Sequence, residues 1–226
     1  MAKLMICVKS CQRDLALGFH DVIRSTWGRD AKALSIETRF FMGVADNKSY
    51  SPRPDEVYVK CSDDYNSLPY KTREICRWAN GKMVDYIFLC DNDTFLIPRK
   101  MIECGFEKHD YVGKIGEPVN KRFRYEHTGR EGQKEIHERC FQWASGGYGY
   151  FLSRKAFQEV AFETPTSSCE DLWVGQVIGR LAAEGEASVL STPADVYSWH
   201  SPHHGEIYDL KTLKDWQTRM RAENKV

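Results

Sequence analysis

Apolar positions along this chain fall into short runs that switch between strand-like and helix-like periods. Leu4–Val8 is a continuous apolar run and reads as a first, buried strand. From Asp14 to Trp27, Leu15, Phe19, Val22 and Ile23 recur at roughly helical spacing, which predicts a helix with Gly28 as its C-cap. Thr38–Val44 (TRFFMGV) and Glu56–Cys61 (EVYVKC) read as strands either side of a polar loop holding Pro52 and Pro54. Ser67 is placed to cap the next helix, with Pro69 in its first turn and Leu68, Thr72, Ile75 and Ala79 on its buried face. Tyr86–Cys90 is the central apolar strand, and a short helix covers about Arg99–Phe106. Strands alternating with helices in this way predict an α/β fold: a mainly parallel central sheet, right-handed crossovers and helices on both faces.

Past Tyr111 the pattern changes. Glu117–Arg139 shows little apolar periodicity and carries Lys121, Arg122, Arg124, Arg130, Lys134 and Arg139. It reads as a solvated loop, and one so long in a compact domain is more often functional or mobile. Phe141–Ser153 (FQWASGGYGYFLS) interleaves Gly146, Gly147 and Gly149 with Tyr148, Tyr150 and Phe151. Two readings stay open there: a glycine-lined approach to a ligand with aromatic faces stacking on sugar rings, or a kinked strand with a packed aromatic face. The spacing is not that of a dinucleotide-binding fingerprint. Ser153 caps a helix to about Phe162, and Ser168-Cys169-Glu170-Asp171 opens another through about Ala183. Asp195–Trp199 is strand-like, His200-Ser201-Pro202-His203-His204-Gly205 follows, and Leu210–Met220 is a closing amphipathic helix. The expected organisation is one domain over 1–226, in halves of about 1–115 and 116–226.

The 226 residues suffice for one well-filled core, and 42% hydrophobic with 28% charged residues is an ordinary globular composition. Lys plus Arg equals Asp plus Glu at 32 each, so net charge points to neither nucleic acid nor a membrane surface. No apolar run reaches membrane-spanning length. The start, MAKLMICVKSC, has about five apolar residues before Lys9, fewer than a signal-peptide core needs. Its eight cysteines are scattered without a C-x-x-C pair, which argues against a structural zinc site. Reduced thiols in a cytoplasmic protein are the expectation.

Candidate chemistry gathers at Asp91-Asn92-Asp93, directly after the central strand. In open α/β sheets ligands bind at the carboxyl ends of the strands. Carboxylates there need a cation, a basic partner or water. The triplet is either turn chemistry or a site where a divalent ion holds substrate phosphates. His200, directly after a strand-like run, is placed to complete such a site. Arg24 suits a phosphate through its forked guanidinium, or is a solvated helix-end residue beside a packed Trp27. Lys71 lies in a helix's first turn near the same sheet edge. Ser168-x-x-Asp171 fits a capping box, yet of the adjacent Glu170 and Asp171 one carboxylate is free to serve as a general base.

In order, STW at Ser25–Trp27, DDYNSLPYKT at Asp63–Thr72, FLCDNDTFLIP at Phe88–Pro98, WASGGYGYFLSRKAF at Trp143–Phe157, EDLWVG at Glu170–Gly175 and SWHS at Ser198–Ser201 resemble a family. It is the inverting β-1,3-glycosyltransferase family (glycosyltransferase family 31) that contains the core 1 galactosyltransferases and the Fringe proteins. The resemblance implies a GT-A, Rossmann-like fold, a UDP-sugar donor, a glycan or glycosylated acceptor, and manganese, with magnesium as the alternative. Carried over by motif, Asp91 and Asp93 bind the metal on the diphosphate, joined by His200. Arg24, Lys71, Asp91 and Asn92 lie on the nucleotide side, and Gly146-Gly147 lines the sugar pocket. Asp171, beside Glu170, is the catalytic base. Apart from the resemblance, the length and polarity of the Glu117–Arg139 loop suggest a lid on the acceptor side. Three departures stand out: Asn92 occupies the centre of the usual carboxylate run, no membrane anchor or stem is visible, and no disulfide framework is evident. The last two suggest a soluble bacterial or viral relative. Balanced charge weakens a nucleic-acid acceptor without ruling it out. The competing readings are a metal-dependent nucleotidyltransferase or hydrolase using Asp91, Asp93 and His200, and a carbohydrate-binding relative without turnover.

Overall fold

A computed structural model describes residues 2–44, 51–116, 122–129, 132–193, 195–200 and 210–223. The elements in chain order are β1 (Leu4–Lys9), α1 (Gln12–Ala16), α2 (Phe19–Ser25), α3 (Trp27–Ala33), β2 (Glu37–Gly43), β3 (Glu56–Val59), α4 (Leu68–Asn80), β4 (Tyr86–Asp91), β5 (Phe95–Leu96) and α5 (Pro98–Glu103). They continue with β6 (Tyr111–Gly113), β7 (Phe123–Thr128), β8 (Lys134–Cys140), β9 (Tyr150–Ser153), α6 (Arg154–Phe162), α7 (Glu170–Ala183), β10 (Val189–Ser191), β11 (Ser198–Trp199) and α8 (Leu210–Glu223).

Seven strands form the central sheet in the order β10-β6-β9-β4-β1-β2-β3. Only β9 runs antiparallel to its neighbours, β4 and β6. Strand β1 is buried on both faces, which is why its sequence is a continuous apolar run rather than an alternation. Leu4, Ile6 and Val8 pack into one core layer with Phe88, Phe151 and Trp27. Met5 and Cys7 pack into the opposite layer with Ile75, Leu89, Tyr150 and Trp173. The α/β architecture with helices over both faces follows the expectation. All eight cysteines are free thiols. Among the described residues no helix is long and apolar enough to cross a membrane.

Three local expectations are corrected, and one open choice is resolved. The single helix expected over Asp14–Trp27 is divided among α1, α2 and α3. Gly18, at φ +88°, ends the first piece, and Thr26, at φ −109° and ψ −118°, turns the corner between the other two. Gly28 is therefore inside α3 and not a C-cap; a Cβ there would lie 2.7 Å from the Ile23 carbonyl oxygen across that corner. The loop expected over Glu117–Arg139 contains the antiparallel hairpin β7–β8. Its residues alternate between partly buried and exposed with the strand period of two, a signal masked by how polar both faces are. Finally, Tyr150 and Phe151 are fully buried core residues, so the kinked-strand reading holds for them, and only Tyr148 of the three keeps partial exposure.

Candidate active site

Strand β4 delivers Asp91 to its carboxyl end beside Lys9 at the end of β1, the two being paired in register. The chain then turns through Asn92 and Asp93 into β5. Strand β11 pairs antiparallel with β5, placing Trp199 opposite Phe95. That short ladder brings His200 back to Asp93, with its Nε2 3.6 Å from Asp93 Oδ1. Asp91, Asp93 and His200 each offer a ligand atom within 4.8 Å of the others. His203 and His204 lie outside the described residues.

The electrostatics suit a cation. Asp93 Oδ1 is buried and accepts no hydrogen bond. Burial, then the nearby charge of Asp91, pushes the Asp93 carboxyl from its ordinary 3.8 up to about 7. An orphaned carboxylate oxygen beside a second carboxylate and an imidazole is a set that a divalent ion would satisfy. Manganese or magnesium fits these residues.

Glycines 146 and 147 join this cluster to the carboxylates of α7. A Cβ on Gly147 would lie 2.5–2.7 Å from the His200 ring, so only glycine leaves the imidazole its place. The Gly147 carbonyl accepts from Thr94 Oγ1 at 2.9 Å, and the Thr94 carbonyl accepts from Trp27 Nε1 at 3.0 Å. Trp27 of the STW motif thus anchors the turn that follows Asp93. Next in the chain, Gly146 N–H donates to Asp171 Oδ2 at 2.8 Å. Asp171 Oδ1 accepts from Leu172 N–H at 2.8 Å and from the Cys169 thiol at 3.0 Å. Burial, then the charge of Asp171, raises the Cys169 pKa, which keeps that thiol protonated as a donor.

The two neighbouring acids of α7 have different surroundings. Asp171 is partly exposed. Glu170 is buried, with Oε2 on Lys9 Nζ at 2.9 Å and Oε1 on Thr72 Oγ1 and Tyr150 Oη at 2.6 and 2.5 Å. Glu170, expected beside Asp171 among the catalytic residues, instead takes an inward, fully bonded position. The capping box is also absent: Cys169 occupies the N-cap, and Ser168 Oγ has no hydrogen-bond partner.

Asn92 is buried beneath the site and donates to Ser10 Oγ at 2.9 Å and to Asp14 Oδ2 at 2.8 Å. An aspartate there would set two carboxylates against each other, which accounts for the amide at the centre of the triplet. Arg24 is committed elsewhere: its guanidinium donates to Asp21, Asp55 and Glu56. Burial would lower its pKa, but these bonds outweigh it and raise it. Lys71 is buried, with its ammonium on Asp63 Oδ1 at 2.8 Å and on the Ser10 carbonyl. Reaching a phosphate would require either cation to release these partners.

Lys9, Thr72, Thr94 and Tyr150 escape a reading of local sequence. Lys9 is 3% exposed and lies 3.2 Å from Asp91 Oδ1 as well as on Glu170. Burial disfavours its charge, yet Asp91 and Glu170 prevail and raise its pKa. The available signal was a lysine closing an apolar run, at the strand end where sites form.

Comparison with known proteins agrees with this architecture. Of the solved structures, inositol-1-phosphate CTP transferase from T. maritima matches with a TM-score of 0.52 at 9% identity, covering 98% of this chain and 96% of that one. 4-Diphosphocytidyl-2C-methyl-D-erythritol synthase from Anaerococcus prevotii matches with a TM-score of 0.49 at 8% identity, over 96% of this chain and 97% of that one. At 9% identity and a TM-score of 0.52 the likeness to the inositol-1-phosphate CTP transferase is one of fold alone. No curated protein matches the chain. The profile described as galactosyltransferase matches residues 20–187, a span that takes in Asp91, Asp93, Gly146, Gly147 and Asp171 and stops short of His200. With most of its length so matched, the chain belongs to the galactosyltransferase family, and it is a glycosyltransferase.

Proposed function

We propose that this glycosyltransferase moves a hexose from a UDP-sugar to a glycan hydroxyl, inverting the anomeric centre and forming a β-1,3 linkage. Galactose is the first choice of sugar, with glucose or N-acetylglucosamine next. The observation that carries the reading is the buried Asp93 oxygen, without a hydrogen bond and beside Asp91 and His200, with the Gly146-Gly147 dipeptide linking that cluster to Asp171. Asp91, Asp93 and His200 would hold the divalent ion, which when bound offsets the charge developing on the leaving diphosphate.

Asp171 takes the proton of the acceptor hydroxyl as that oxygen bonds to the sugar C1 and the C1–O bond to UDP breaks. Its three hydrogen bonds fix the carboxylate's orientation while leaving it partly exposed toward the acceptor. Lys9 and Glu170 act one layer below: their ion pair ties α7 to β1 and holds one oxygen of Asp91. General-base removal of this kind contributes on the order of 10²–10⁴-fold in rate. A nucleotidyl-transfer reading would use the same cation cluster but leaves Asp171 and its glycine-held geometry without a role.

The test is UDP release from a panel of UDP-sugars with manganese, with and without EDTA, in wild type, Asp93→Ala and Asp171→Ala. The expected result is metal-dependent hydrolysis of one UDP-sugar, lost in Asp93→Ala, and acceptor transfer lost in Asp171→Ala. No binding or turnover of any UDP-sugar, with EDTA changing nothing, would refute it.

A further inference from the structure

A divalent ion at Asp91, Asp93 and His200 would offset only part of the charge on a departing diphosphate, and sites that release phosphates commonly add a lysine or arginine to the metal. Arg24, Lys71 and Lys9 are all committed to carboxylates. Arg24 donates to three of them, Lys71 is buried on Asp63, and Lys9 is buried between Asp91 and Glu170. Lys114 differs. It is partly exposed and has no carboxylate partner among the described residues. Its ammonium rests 3.9 Å from the centre of the Tyr148 ring.

The fold brings Lys114 to the edge of the sheet that holds the cation cluster. Tyr150 of β9 pairs with Leu89 of β4 on one side and with Gly113 of β6 on the other, so these two parallel strands are level there. Lys114 follows β6 at the same carboxyl edge where Asp91 ends β4, the edge at which open α/β sheets bind ligands. Its main chain is fixed to the glycine segment. Ser145 N–H donates to the Lys114 carbonyl at 3.0 Å, and Ile115 and Ala144 form an isolated bridge. Gly113 permits this approach, since a Cβ there would lie 2.7 Å from that of Ala144. The side chain meets the same segment again at Tyr148, whose ring centre is 6.1 Å from that of His200. Tyr148 is therefore the shared neighbour of Lys114 and of a residue in the cation cluster.

We propose, resting on the reading of the site given above, that Lys114 is the side-chain cation that binds the donor's diphosphate and stabilises it as it leaves. A ring face holds an ammonium weakly where water reaches it, whereas a phosphate oxygen offers a charge-assisted hydrogen bond. The flexible stem of a lysine lets the ammonium leave the Tyr148 face for that oxygen. No ion pair is broken in doing so, as one would be for Arg24, Lys71 or Lys9. In the transfer step the sugar C1–O bond breaks and its electron pair stays on the terminal phosphate of UDP. The acceptor oxygen bonds to C1 and gives its proton to Asp171. Lys114 keeps its own proton and donates a hydrogen bond to the departing phosphate. That bond strengthens as charge gathers on the phosphate, so the lysine acts on the rate as well as on donor binding.

The experiment is a calorimetric titration with UDP, GDP and UMP in manganese, on wild type, Lys114→Gln and the charge-keeping Lys114→Arg. Two further lysines on aromatic faces serve as comparisons. Lys100 lies 5.9 Å from the centre of the Trp199 ring, next in the chain to His200, and Lys82 lies 4.4 Å from that of Trp78, just beyond α4. Lys114→Gln should bind UDP at least about tenfold more weakly and lose UMP affinity far less, because UMP lacks the departing phosphate. Lys114→Arg should fall in between, Lys100→Gln and Lys82→Gln should match wild type, and the unfolding midpoints should not move. In UDP-sugar hydrolysis Lys114→Gln should lower kcat as well as raise KM. Undiminished UDP affinity in Lys114→Gln, equal losses for UDP and UMP, or a loss in Lys100→Gln instead would overturn the role of Lys114 and leave the UDP-sugar reading standing. Binding of GDP and not UDP, still dependent on Lys114, would refute that reading and uphold the lysine. Binding of neither diphosphate by wild type would overturn both.

Discussion

Burial and the charge of Asp91 raise the Asp93 carboxyl from 3.8 to about 7, so between those values the native protein holds a proton that the unfolded chain has released. Stability contributed by that protonated group is complete below about pH 4 and is lost as pH rises toward 7. Above 7 the fold carries an anion of which one oxygen is buried and accepts no hydrogen bond. A displacement of about 3 pKa units is worth about 4 kcal/mol at most, at 1.36 kcal/mol per unit. The Asp93 side chain is 21% exposed, and solvent there reduces the expected penalty to about 2–3 kcal/mol. Asp93→Asn keeps the shape and removes the charge. Without divalent ions at pH 8 it should therefore be more stable than wild type, with an unfolding midpoint raised by roughly 4–12 °C for a chain of this size.

The advantage should shrink steadily as pH falls from 7 toward 4, where wild-type Asp93 regains its proton. Manganese at pH 8 should raise the wild-type midpoint by mass action and leave Asp93→Asn almost unmoved. Thermal unfolding followed by far-UV circular dichroism, with EDTA or manganese at several pH values, measures all of this. Should Asp93→Asn prove less stable than wild type in EDTA at pH 8, or should manganese stabilise both proteins alike, the reasoning from a frustrated carboxylate to a cation site fails.

Gly147→Ala should push the His200 ring aside and weaken manganese binding by roughly tenfold or more in a calorimetric titration, because its Cβ would fall 2.5 Å from the imidazole. Asn92→Asp should destabilise the fold by about 1–3 kcal/mol in urea unfolding through its contact with Asp14, and adding Asp14→Asn should restore most of that loss. Lys9→Met leaves Asp91 and Glu170 without their cation and should cost about 3–5 kcal/mol. Lys211→Met, which removes an exposed pair with Asp215, should cost under about 1 kcal/mol in the same assay.

What could be read from the sequence was whatever local periodicity controls. Strands β1, β2 and β4, helix α4 and the extent of α7 follow from apolar runs and spacings that any fold would bury in the same way. The Asp91–Asp93 turn was legible because a charged triplet interrupts such a run at the carboxyl end of a strand. The hairpin was not, since its alternation separates half-buried polar residues from exposed ones, and apolar content alone does not register that difference. Nor was the corner at Thr26, because residues either side of it keep an apolar face toward one core.

Glu170 and Asp171 show where local reading stops. Adjacent residues on a helix point about 100° apart, so only one of the pair can face the core. Local sequence treats them as equals, and the motif at Ser168 even favours Asp171 as a cap. The choice is made by Lys9, 161 residues away, which ends a strand buried on both faces and needs a counter-charge at that depth. Thr72 and Tyr150 add donors to the same carboxylate, so Glu170 is the acid that the interior can satisfy. Asp171 is then left at the surface of the cleft, where Gly146 offers only a backbone N–H and no side chain to cover it. Burial of the neighbour thus decides which acid the proposed mechanism can use: the carboxylate left partly exposed is the one for which the core has no cation.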